Sequence, residues 1–144
     1  MEKRAKRIKM SADLERIPYK IATGDGFSGY TADQWKSFIM IYAIPLMWDL
    51  LDDNDRKILA NFVRVCVILT TRIVENNALD EAHSRLLNIA QLVEENYGPV
   101  MITLNIHLSL HLTECCRDYG PIYSFWCYSF ERMNGLLDKL HADC

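Results

Sequence analysis

The chain has 144 residues, of which 50% are hydrophobic and 24% are charged, and its formal net charge is −3. This is ordinary globular composition, with enough length for one domain built around one core. The small negative charge argues against a wholly basic DNA-binding module.

Targeting and membrane signals are not evident in the sequence. The N-terminus has no apolar stretch of the kind found in a secretory signal peptide. The apolar stretches near residues 37–51 and 58–70 are interrupted by Pro45, Asp49 and Arg64 and are too short to span a bilayer. The five cysteines have no disulfide-like spacing, which favours a soluble intracellular protein with reduced thiols.

Residues 1–30 are predicted to be irregular and basic at their start. Three glycines in the stretch GDGFSGY at 24–30 indicate a loop. A basic run attracts DNA phosphates through counterion release or acts as a nuclear import signal, and the alternative is a solvated terminus without a ligand. The candidate nucleic-acid contacts in residues 1–9 are Lys3, Arg4, Lys6, Arg7 and Lys9.

Residues 31–144 are predicted to form a single all-α, bundle-like domain of five or six helices. Thr31 and Gln34 fit a capping box at the start of the first helix, and Pro45 should kink or divide that helix. The next helix is apolar almost all round and should therefore be central. Gly-Pro pairs at 98–99 and 120–121 end two later helices. The predicted helices cover residues 31–51, 54–75, 79–96, 100–117 and 128–141.

His107 and His111 are candidate metal ligands, because residues four apart project from one face of a helix and suit one zinc ion. Cys115, one turn further on, is a candidate third ligand. Leu104, Leu108 and Leu112 line one side of the same predicted helix. The alternative is therefore that both histidines serve packing and hydrogen bonding in a leucine-rich helix.

Glu131 is a candidate magnesium ligand, since it follows a run of bulky aromatics and hard cations prefer oxygen ligands. Asn134, one turn on, can share its face. On spacing alone the alternative is an exposed carboxylate that pairs with a neighbouring basic side chain.

Two stretches of the chain resemble segments of transposon-encoded proteins of the CACTA (En/Spm) type. One is IPYKIATGDGFSGYTADQWKSFIMIYAIP at 17–45, and the other is HLSLHLTECCRDYGPIYSFWCYSFERMNGLL at 107–137. In the second stretch a histidine pair, a Gly-Pro turn, an aromatic stretch and Phe-Glu followed by Asn occur in the family's order. The Thr-Ala-Asp-Gln-Trp-Lys run at 31–36 makes the likeness more specific.

The resemblance implies a role in DNA transposition. In that family a ribonuclease-H-like domain holds two divalent ions on three acidic residues, and the ions activate water and then a 3′-hydroxyl for attack on phosphodiesters. An all-helical insertion separates the second and third acids. The resemblance therefore implies that Glu131 is the third acid, a catalytic magnesium ligand. It also implies that His107 and His111 are the histidine half of a zinc site whose CxxC half lies upstream, as in the related V(D)J recombinase.

The chain departs from the family in lacking a CxxC motif and a strand-borne aspartate pair before residue 17. We therefore expect that the chain is a fragment or remnant of a transposase that uses three catalytic acids. We expect it to be nuclear and to be inactive alone. Its expected partners are DNA and the missing N-terminal part of a transposase or another transposon protein, with no membrane involved. A hypothesis of a different class is a non-enzymatic helical module that binds protein or DNA.

Overall fold

The computed structural model describes residues 32–125, of which 83% are helical, and this part of the chain contains no strand. The prediction of an all-α fold is confirmed there. The basic run at 1–9, Thr31 of the predicted capping box, and the predicted helix at 128–141 with Glu131 all lie outside the described residues.

The first helical segment changes its hydrogen bonding along its length. It consists of α1 (Ala32–Ser37), a π-helical turn (Phe38–Tyr42), α2 (Ala43–Met47) and a 3-10 turn (Trp48–Leu50). The predicted interruption at Pro45 thus takes the form of a π turn just before the proline. Pro45 has no N–H and its ring crowds the carbonyl four residues back, which lies in that wider turn.

The helix α3 (Asp53–Leu69) begins at a side-chain cap. Asp52 Oδ1 accepts hydrogen bonds from the backbone N–H groups of Asn54 and Asp55, at 3.0 and 2.9 Å. Two of the N–H groups that a helix start leaves unpaired are thereby satisfied.

This helix ends earlier than the predicted boundary at residue 75. The hydroxyls of Thr70 and Thr71 donate to the carbonyls of Cys66 and Ile68, both at 2.7 Å, and so compete with continuation of the helix. Ile73, inside the predicted range, lies beyond the observed helix end and is 86% exposed, so it does not extend the apolar face of α3.

The helix α4 (Asn76–Tyr97) runs antiparallel to α3. Asn54 donates to Asn96 at 2.8 Å and the Tyr97 hydroxyl donates to Asp55, so the start of α3 lies beside the end of α4. Gly98 ends the helix with φ 87° and ψ 161°, a conformation that only glycine adopts readily.

The prediction of one helix over residues 100–117 is wrong, because the structure divides this stretch. A 3-10 turn (Pro99–Met101) is followed by α5 (Leu104–Ser109), a break at residues 110–111, and α6 (Leu112–Tyr119). Residues two apart point to nearly opposite sides of a continuous helix. The break allows both Leu110 and Leu112 to pack against the core.

The helix α3 contributes to two groups of packed side chains. One group joins the π turn and α2 to Leu59 of α3: Phe38, Tyr42, Ala43 and Leu46. The other joins α3, α4 and α6: Val65, Ile68, Leu69, Leu79, Ala82, Leu86 and Cys116. Because α3 contributes to both groups, its predicted central position is confirmed. Each helix within residues 32–125 is too short or too polar to cross a membrane.

Candidate metal and interaction site

The imidazole rings of His107 and His111 lie next to each other although the helix is broken between them. His107 stands in the last turn of α5 and His111 immediately precedes α6. Their ring centroids are 5.4 Å apart with an interplanar angle of 73°, an edge-to-face contact. Both side chains are exposed, so the pair lies at the surface and is not enclosed among the leucines.

A carboxylate orients the second ring of the pair. Nδ1 of His111 lies 3.0 Å from Oε2 of Glu114, and since a carboxylate only accepts, the ring donates through Nδ1. In the neutral ring, Nε2 is then the nitrogen that can bind a ligand. The hydrogen bond from His111 lowers the pKa of Glu114, which keeps this carboxylate ionised. Such a carboxylate behind a histidine is the usual support of a zinc ligand.

The separation of the two rings fits half of a tetrahedral zinc site. Two imidazoles on one zinc ion, with Zn–N bonds of about 2.0–2.1 Å, bring their ring centres to about 5 Å. The observed 5.4 Å is close to that value. Within residues 32–125, no three histidine, cysteine or acidic side chains are arranged to hold a metal, so Cys115 does not complete a three-ligand group with the pair.

The two histidines belong to an exposed, largely apolar surface, which we call the α5 face: Leu104, His107, Leu108 and His111. Leu104 is 70% and Leu108 is 53% exposed, and Val100, just before α5, is 90% exposed. Leu112, which the sequence places on the same side as these leucines, packs against the core. The break at residues 110–111 therefore separates a partly buried leucine from two exposed ones.

A buried polar contact, which sequence reasoning missed, fixes α6 against α4. Thr113 is fully buried, and its hydroxyl lies 3.3 Å from Nδ1 of His83. One turn further on, Arg117 of α6 donates to Asp80 of α4 at 2.5 Å. A buried hydroxyl needs such a partner, so the two contacts help to seat α6, the helix that carries Glu114, against α4. The available sequence signal was weak: His83 adjoins the apolar positions Leu79, Ala82 and Leu86.

The remaining predicted site residues do not come together with this pair in the described part of the molecule. Glu131 and the basic side chains of residues 1–9 lie outside residues 32–125. No family model, curated protein or solved structure matches the chain. The resemblance to CACTA-type transposases therefore stays a hypothesis. The described residues that bear on it are His107 and His111.

Proposed function

We propose that this chain is the helical portion of a CACTA-type DNA transposase, from the insertion to the helix that carries the third catalytic acid, and that it is inactive alone. The observation that supports this most is the exposed pair of His107 and His111. Their rings have the spacing of half a zinc site and occur where the resemblance expects the histidine half of one.

The other half of that zinc site would come from a CxxC segment of the missing N-terminal part, which the chain itself lacks. The donor set fits zinc, since two neutral imidazoles and two thiolates are a common structural combination. The exposed Leu104 and Leu108 beside the histidines support the same partner, because docking would cover them. When bound, zinc would hold the helical portion and the catalytic sheet in one orientation.

Catalysis in the full protein requires three acidic residues, and this chain offers one candidate, Glu131. By the resemblance, Glu131 is one of three carboxylates that hold two divalent ions, and those ions supply phosphodiester cleavage and strand transfer. One carboxylate cannot hold two ions or orient a scissile phosphate. The basic side chains of residues 1–9 would add phosphate contacts and direct the protein to the nucleus.

The proposal is tested by the coding sequence upstream of this chain in its genome and transcripts. We expect two aspartates at the ends of predicted strands and a CxxC motif there. Joined to that region, the chain should gain magnesium- or manganese-dependent DNA nicking, which Glu131→Ala abolishes, whereas the chain alone should show none. Nicking by the isolated chain that Glu131→Ala abolishes would overturn the inactive-portion proposal.

A second candidate is a non-enzymatic helical module that binds a protein or DNA. The exposed α5 face supports it, since an apolar surface on a small helical domain is a common docking site. An upstream region without aspartates and CxxC would favour this candidate over the first.

A further inference from the structure

We propose that a second copy of this chain supplies the two missing zinc ligands, so that His107 and His111 of two copies bind one zinc ion between two α5 faces. Within residues 32–125 of one copy, the site is incomplete. This goes beyond the transposase proposal, in which a CxxC segment completes the site, because it concerns the chain when that segment is not present.

Each copy offers two of the four ligands that a structural zinc ion takes. Zinc in a structural site takes four ligands in a tetrahedron, and each copy offers two adjacent, exposed imidazoles whose ring centres are 5.4 Å apart. Residues 32–125 contain no third side chain placed to join them within one copy. Two copies related by a twofold axis present the same pair twice, which gives four nitrogen ligands.

The hydrogen bond to Glu114 also supports a zinc site. It holds the His111 ring through Nδ1, which leaves Nε2 as the nitrogen that would bind the metal. A zinc ligand needs this tautomer and a fixed ring orientation. Glu114 itself is a positioning residue, since its carboxylate is engaged by the ring that would bind the metal.

The apolar neighbours of the histidines support a second copy as the partner. They also predict that association depends on zinc. Leu104 and Leu108 flank the histidines on the α5 face and would meet their counterparts across the axis. A stable interface uses about 20–30 residues on each partner, far more than this face provides. The apolar contact alone is therefore too small, and metal ligation must supply the rest.

The experiment compares the metal-free chain with the same protein titrated with zinc, by sedimentation velocity and by metal stoichiometry. We expect a monomer in chelator and a dimer with one zinc per two chains, reversed by chelator. Cobalt(II) in place of zinc should give the intense visible absorption of a tetrahedral site. His107→Ala and His111→Ala should abolish the dimer with no loss of helix content, since both rings are exposed.

Two further variants separate ligation from general surface effects. Glu114→Ala should weaken zinc binding about 10- to 100-fold, as the loss of a supporting carboxylate typically does. Leu108→Glu should weaken the dimer, whereas Ile73→Glu, which places the same charge at an exposed apolar position outside the α5 face, should not.

The proposal is overturned if zinc leaves the mass of the chain unchanged, if one zinc binds per monomer, or if the dimer persists in both histidine variants. The experiment uses only this chain and zinc, so such a failure would leave the transposase proposal standing. That proposal depends on the upstream sequence and on nicking by the joined protein.

Discussion

Glu81 of α4 connects two arginines that come from different helices. Arg64 of α3 donates to both of its carboxylate oxygens, each at 2.9 Å, and Arg85 of α4 donates to Oε1 at 2.8 Å. A two-pronged guanidinium contact fixes geometry better than a single ion pair does. The hydrogen bonds from Arg64 and then Arg85 lower the pKa of Glu81 from 4.5 to about 2.

We expect Glu81→Gln to lower the stability of the protein at neutral pH. The folded-state pKa is depressed, so the stabilisation is fully present above about pH 4.5 and is lost as the pH falls toward 2. Urea unfolding of both proteins between pH 7 and pH 2 measures this, and the difference in midpoint should shrink across that window. Glu95→Gln, at an exposed carboxylate late in the same helix, is the control. A difference that is independent of pH would contradict the assignment.

At the scale of the element, local side-chain contacts decide where helices begin and end. Asp52 starts α3 by accepting two backbone hydrogen bonds, and two threonine hydroxyls occupy carbonyls where α3 stops. Gly98 and Gly120, with φ of 87° and 85°, follow the last residues of α4 and α6. These are short-range effects, which is why most of these boundaries could be predicted to within a few residues.

We expect Asp52→Ala to destabilise the protein by about 0.5–2 kcal/mol, because two N–H groups at the start of α3 lose their acceptor. Asp52→Asn keeps a side-chain oxygen at the cap and should cost little. Chemical denaturation of the three proteins under identical conditions gives the comparison. Equal destabilisation by both substitutions would mean that the charge matters and the capping geometry does not.

At the scale of the whole molecule, α3 contributes to both groups of packed side chains, and the α5 face is exposed. Charge is distributed unevenly over the same chain. The overall charge is −3, whereas residues 1–9 contain five basic side chains and one acidic one. If the protein binds DNA, this run is the expected contact.

We expect any DNA binding to be weak, independent of sequence and strongly dependent on salt. About five phosphate contacts would give a slope of about −4 to −5 in a plot of log affinity against log salt concentration. Deletion of residues 1–9 should abolish the binding. Neutralising Lys57 and Arg72, which are exposed basic side chains on the helical part, is the control and should change it little. Binding that survives the deletion would place the DNA surface elsewhere.

The sequence by itself determined the helical class and the central position of α3. Each follows from short-range spacing, through apolar periodicity, capping residues and the repeat of the helix. Only the tertiary structure decided the break at residues 110–111, which lets both Leu110 and Leu112 pack against the core. It also decided that Thr113 of α6 meets His83 of α4, a contact between residues 30 apart in the chain. Spacing cannot predict such a contact, because it depends on how one helix is seated against another. That packing brings Leu112 against the core, whereas Leu104 and Leu108, before the break, stay exposed next to the histidine pair.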